Sequence, residues 1–159
     1  MSYPVKEVVL PKDMKGAENG KLDPKVLSAI DGGHRHHLAA DAWHCMVIAA
    51  EADGITLDPT SRWDLYRPYD RQEALFLARY QKEDNKAKVT RKWKNHTWYL
   101  KAGVAPAGVP GTSNHGWGLA VDVAHASGKI LAWLMKHADA FGFSWEVKDG
   151  ANEIGRAHV

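Results

Sequence analysis

The run Ser113-Asn-His-Gly-Trp-Gly-Leu-Ala-Val-Asp122 places an imidazole and a carboxylate seven positions apart, with two glycines between them. Leu119, Val121 and Val123 alternate with Ala120 and Asp122, the period of two expected of a half-buried strand. Asp122 then points away from the aliphatic face. An unbroken strand would send His115 and Asp122 to opposite sides. Gly116 and Gly118 can take backbone angles closed to other residues, so a bend there can bring His115 round to the Asp122 side. An imidazole nitrogen and a carboxylate oxygen converging from a rigid strand suit zinc, which takes such ligands at about 2.0–2.2 Å. Spacing alone is served as well by His115 capping a turn and Asp122 ending a strand in water.

The pattern Ser-x-His-x-x-Gly-x-Ala-x-Asp, here Ser113 to Asp122, resembles the signature of the VanY-type zinc D-alanyl-D-alanine carboxypeptidases, whose relatives include phage endolysins that cut peptidoglycan peptides. The resemblance implies that His115 and Asp122 are both metal ligands. Leu65-Tyr-Arg-Pro-Tyr69 with Gln72 is similar to the Tyr-Arg-Ser-Tyr…Gln element of that family, with Pro68 where Ser is usual. It implies that Arg67 and Gln72 reach into the cleft and hold substrate, with Ser113 near the metal. A guanidinium is a rigid fork of donors suited to a carboxylate or peptide carbonyl. Without the resemblance, Arg67 could simply pair with Asp64 or Asp70 at the surface.

A catalytic zinc takes three protein ligands and keeps one position open. The family's third ligand is a His in a Glu-x-x-His element near the C-terminus, whose Glu is the general base. Phe141-Gly-Phe-Ser-Trp-Glu-Val resembles the strand leading into that element, but the tetrad itself is absent. His158 is the only imidazole after Trp145 and becomes the default third ligand. Glu153 lies five residues before it and is the nearest carboxylate; Glu146 is the alternative base.

These groups need elements to hold them. A helix is expected from about His34 to Asp53, with Leu38, Ala42, Cys45, Ala49 and Ala52 as its apolar stripe and Gly54 as its stop. Cys45, the one cysteine, then reads as a buried, inert thiol. His34, His36 and His37 read as a solvated helix start, since contiguous histidines on a helix diverge. A helical turn is expected at Asp23–Ile30, a short strand at Ile55–Leu57, and a helix from Pro68 and Asp70 to about Lys82 carrying Leu75, Leu77 and Ala78. Ser127 can cap a helix over 128–141, with Ile130, Leu134, Ala138 and Phe141 on one face and Gly142 as its stop. His125 and His137 read as incidental. Lys101 to Thr112, rich in Ala, Gly and Pro, reads as an extended approach to the metal strand.

With 159 residues, 25% of them charged, the chain fits one globular domain over 1–159. Its net charge of +2 is compatible with an anionic wall but far from the footprint of a nucleic-acid binder. The run from Lys82 to Lys94, with six basic residues against Glu83 and Asp84, reads as a solvated face that could also steer the protein toward anionic wall polymer. Trp93, Trp98 and Tyr99 interleave with it, yet no nucleic-acid motif accompanies them. No apolar run is long enough to span a membrane, and the N-terminus lacks a signal peptide's apolar core. A protein made in the cytoplasm and released onto the wall, as phage lysins are, is the expectation.

The resemblance spans about residues 20–147 and implies an α+β fold of the hedgehog/DD-peptidase type. In it a small antiparallel sheet carries the zinc site, with helices packed to one side. The implied function is zinc-dependent hydrolysis of a peptidoglycan peptide bond, by a monomer with no nucleic-acid partner and no membrane insertion. The alternative is a wall-binding or structural module that keeps the fold without turnover. A Ser or Cys hydrolase has no supporting motif: Gly-x-Ser-x-Gly is absent.

Overall fold

The computed structural model describes residues 9–61, 65–145 and the backbone of 153–156. Among the described residues three helices and eight short strands make the expected α+β architecture, with the strands in three antiparallel sheets.

The first sheet pairs β1 (Leu27–Ile30) with β2 (Gly33–His36) through Asp31-Gly32. Both turn residues have positive φ, 49° and 77°, which is what a two-residue type I′ hairpin demands. This corrects two expectations. The turn at Asp23–Ile30 is a 3-10 turn only over Pro24–Val26, capped by the Asp23 carboxylate accepting from Lys25 N–H, and then becomes strand. His34 to His36 are strand, so the following helix α1 (His37–Ala52) starts three residues later than expected.

The buried face of α1 is Ala39, Ala40, Trp43, Met46 and Ala50. The expected stripe lies one step round the helix: Cys45 and Ala52 are exposed, and Leu38 is 37% exposed. An almost wholly apolar helix offers more than one readable stripe, and the one that buries Trp43 and Met46 removes more area from water. The Trp43 indole N–H is satisfied by Asp31 Oδ2 at 2.7 Å.

Helix α2 (Tyr69–Arg79) starts directly after Pro68 and buries Gln72 and Phe76, one turn apart, rather than Leu75, Leu77 and Ala78. Phe76 anchors the second sheet, β3 (Tyr80–Gln81), β5 (His96–Leu100) and β4 (Thr90–Trp93) in that order, by stacking on Tyr80 and meeting Trp93 and Trp98 edge-on. The Lys82–Lys94 run is therefore partly the edge strand of a hairpin. Ile55–Leu57 forms no strand. Pro59, which has no N–H to give a ladder, makes only a single bridge to Val123.

The third sheet orders β6 (Ala120–Asp122), β8 (Glu153–Arg156) and β7 (Phe143–Trp145). Helix α3 (Gly128–His137) continues as a 3-10 turn over Ala138–Phe141 and stops at Gly142, φ 81°. Ser127 holds the N-cap position, but its hydroxyl makes no capping bond. The main core joins Trp43 and Met46 of α1, Val121 of β6, Trp133 and Leu134 of α3, and Phe143 and Trp145 of β7. Ile130 and Phe141 pack on it half-buried. Trp133 donates its indole N–H to Asp53 Oδ2 at 2.8 Å, tying α3 to the end of α1. This core fixes the inward face of β6 and leaves Asp122 at its outer end.

Candidate metal centre

His115 lies on a 3-10 turn, Asn114–Trp117, directly before β6. Ser113 caps it, its hydroxyl accepting from His115 N–H at 3.2 Å. Gly118 ends it at φ 68°, and a Cβ there would stand 2.6 Å from the His36 backbone nitrogen. A side chain on Gly116 would collide with Asn19. The bend thus needs both glycines, one for its angle and one for space, and it carries His115 to the Asp122 side as the glycines allow.

Backbone bonds stitch this turn to three distant segments: Gly20 N–H donates to Gly116 O, Arg67 N–H to His115 O and His36 N–H to Gly118 O, at 2.9, 2.9 and 3.0 Å. Asn19 adds a side-chain bond from Nδ2 to Ser113 O at 2.7 Å. The sequence gives no signal for Asn19, Gly20 or the Leu65 carbonyl that meets the His115 ring.

His115 is 6% exposed, and its Nδ1 lies 3.0 Å from Leu65 O. A carbonyl only accepts, so Nδ1 carries the proton and the neutral ring turns its Nε2 lone pair the other way. That nitrogen faces Asp122 Oδ1 at 3.5 Å. Asp122 Oδ1 is buried and accepts no hydrogen bond among the described residues. A charge-assisted bond from an imidazolium would close to about 2.7–2.9 Å. Two donors bound at 2.0–2.2 Å and a tetrahedral angle stand about 3.4 Å apart. The pair therefore fits a divalent cation between the two atoms, and a ring N–H donated to a backbone carbonyl is the usual means of orienting a ligating imidazole.

Arg67 is buried beside the pair. Its Nη1 donates to Gln72 Oε1 at 2.8 Å and its Nη2 lies 4.0 Å from Asp122 Oδ2. Gln72, 3% exposed, donates from Nε2 to Gly108 O at 2.8 Å. The guanidinium thus faces the site. Arg67, Gln72, His115 and Asp122 are brought together, with Ser113 at the start of the turn. Glu153 occupies the ladder position opposite Asp122. Glu146 and His158 lie outside the described residues.

A second cluster corrects the reading of the histidines as a solvated helix start. His36 is wholly buried, and Asp13 lies between two rings: Oδ1 is 2.7 Å from His36 Nε2 and Oδ2 is 2.6 Å from His37 Nε2. These three residues could geometrically hold a cation. However, His36 Nδ1 accepts from Leu38 N–H at 3.3 Å, which puts the ring proton on Nε2 and makes His36 a donor to the carboxylate. Burial pushes the His36 pKa down, against the raising effect of Asp13. Burial pushes Asp13 up, but the bonds from His37 and His36 outweigh it and its pKa falls. The stable state is a carboxylate clasped by a neutral buried imidazole. Arg35, the residue before His36, is also fully buried; its Nη2 donates to Leu119 O at 2.9 Å and its guanidinium lies over Trp43 and Phe143.

Among the described residues no helix is long and apolar enough to cross a membrane. No curated protein matches this sequence. Among solved structures, a vancomycin-resistance D,D-pentapeptidase VanY from a VanB-type cassette in complex with Zn(II) matches at 22% identity and TM-score 0.58, over 83% of this chain and 78% of that one. VanYB in complex with D-alanine-D-alanine matches at 22% and 0.59, over 83% and 77%. The LD-carboxypeptidase LdcB matches at 22% and 0.59, over 87% and 71%. At that identity the likeness bears on the fold, which is theirs. The profile of VanY, D-alanyl-D-alanine carboxypeptidase, matches residues 33–158, and by that match the chain belongs to the VanY family.

Proposed function

We propose that this protein is a zinc-dependent peptidase that hydrolyses a peptide bond in bacterial peptidoglycan, as a carboxypeptidase or an endolysin. The carrying observation is the buried, unbonded Asp122 Oδ1 facing His115 Nε2 at 3.5 Å, beside a guanidinium. Membership of the VanY family and the zinc and D-alanine-D-alanine complexes of its structural neighbours favour this chemistry over other uses of the site.

His115 and Asp122 would hold the metal, with His158 as third ligand. A bound zinc supplies Lewis-acid polarisation of a carbonyl and lowers the pKa of water to about 7. Glu153, opposite Asp122 in the ladder, is the first choice of general base and Glu146 the second. That carboxylate takes one proton from the attacking water as its oxygen joins the carbonyl carbon, and returns it to the departing amine as the C–N bond breaks. Arg67, oriented by Gln72, presents its fork to a peptide carboxylate or carbonyl. Ser113 keeps the His115 turn in place.

The full chain, supplied with zinc, should bind close to one zinc and release new amino termini from wall peptides, with mass spectrometry of the fragments naming the bond. Hydrolysis that persists in a chelator and in His115→Ala would overturn the mechanism. One bound zinc without turnover would favour the wall-binding module instead.

A further inference from the structure

Residues 79–101, which contain the second sheet, carry eight lysines and arginines against two acids, a net +6, while the chain as a whole carries +2; the remainder is therefore net −4. Among the described residues none of those eight cations lies in an ion pair. Lys92 on the edge strand β4 could be explained as protection of a bare edge against pairing. Lys82, Lys86, Lys88 and Lys101 lie off that strand and need another reason. Two of the lysines sit where the backbone disfavours them: Lys86 at φ 62° and Lys94, at the tip of the β4–β5 hairpin, at φ 48°. Asn or Gly would relieve both positions. The tip encloses an open recess of about 450 Å³ lined by Lys92 to Thr97.

We infer that this hairpin is a docking surface for a phosphodiester polymer of the bacterial wall. The identity of the polymer rests on the peptidase reading; the charge does not. A nucleic acid has the same backbone charge but wants aromatic faces on which to stack its bases. Here Trp93 and Trp98 pack against each other and against Phe76, and Lys94 and Lys82 cover their faces. What remains is unneutralised charge without a stacking platform, which suits a polymer of phosphates and small polyols. The surface and the candidate metal centre share a helix, since Phe76 beneath the one and Gln72 beside Arg67 at the other are one turn apart on α2.

The test is binding of the full chain to poly(glycerol phosphate) by calorimetry at two salt concentrations. Affinity should fall by about tenfold or more between 50 and 200 mM salt, as expected for a few phosphate contacts. The variant Lys86→Glu/Lys92→Glu/Lys94→Glu should lose at least about tenfold at the lower salt, and the matching Lys→Arg variant should keep the affinity. Circular dichroism checks that both are folded. Unchanged affinity in the charge-reversed, folded variant overturns the proposal, as does tighter binding to a single-stranded oligonucleotide of equal charge. If the unaltered chain binds polymer but releases no wall peptide, the peptidase reading alone fails. If it releases peptide but binds no polymer, this one alone fails.

Discussion

His115 Nε2 and Asp122 Oδ1 face each other across 3.5 Å, each positioned by the backbone of a different kind of element. The imidazole comes from a 3-10 turn and is locked by the Leu65 carbonyl; the carboxylate ends a strand whose other face is core. Replacing either side chain should abolish tight zinc binding. His115→Ala is expected to weaken it by at least about 100-fold, since even outer-sphere changes cost 10–100-fold. Zinc measured after dialysis of the folded variant checks this.

Gln72 holds Arg67 Nη1 and is itself held by Gly108. In Gln72→Leu the guanidinium loses its orienting acceptor while the apolar packing of α2 is kept. Losing one hydrogen bond to a charged group costs about 1.5–3 kcal/mol, which corresponds to roughly tenfold to 100-fold in kcat/KM on wall peptide. Steady-state kinetics on a defined muropeptide, with bound zinc unchanged, is the measurement. An effect confined to metal content would contradict the role given to Gln72.

Gly118 at φ 68° has the His36 nitrogen where its Cβ would go, whereas Gly32 at φ 77° has open space. Gly118→Ala adds a collision to strain and should destabilise by about 2 kcal/mol, or roughly 4–8 °C in thermal midpoint. Gly32→Ala should cost less, since it bears strain alone. Thermal melts of the two variants side by side give the ordering.

The Asp13–His36–His37 clasp makes the fold acid-sensitive. Both His36 and Asp13 have folded-state pKa values below their ordinary ones, so the unfolded chain binds more protons and stability rises with pH. The His36 contribution is complete above its unfolded value of about 6.5 and is lost as pH falls below that. The Asp13 contribution is lost lower, below about pH 4. Asp13→Asn should lower the thermal midpoint at neutral pH and flatten only the lower limb, because burial of His36 persists. Melting curves between pH 3 and 8 separate the two limbs.

The proximity of His115, Asp122, Arg67 and Gln72 was legible because residue type and spacing sit within short stretches, and the glycines announced the bend. Helix α3 and its Gly142 stop were legible for the same local reason. The face of α1 was not, because periodicity in a run of Ala, Val, Ile and Met cannot choose between neighbouring stripes; the tertiary packing of Trp43 chose. The β1–β2 hairpin was legible in principle from Asp31-Gly32, but four strand residues either side were too few to outweigh the helical reading of the histidines. The contact of Asp13 with His36 spans 23 residues and has no local signature.

The family profile begins at residue 33, yet the Asn114–Trp117 turn leans on Asn19 and Gly20, both upstream of it. A minimal fragment excised at the profile's own limits would keep every proposed ligand and discard two of the struts that aim one of them. Such a fragment is expected to show a looser metal affinity than the full chain while retaining its helices, so the boundary drawn by kinship and the boundary drawn by mechanics differ here by more than a dozen residues.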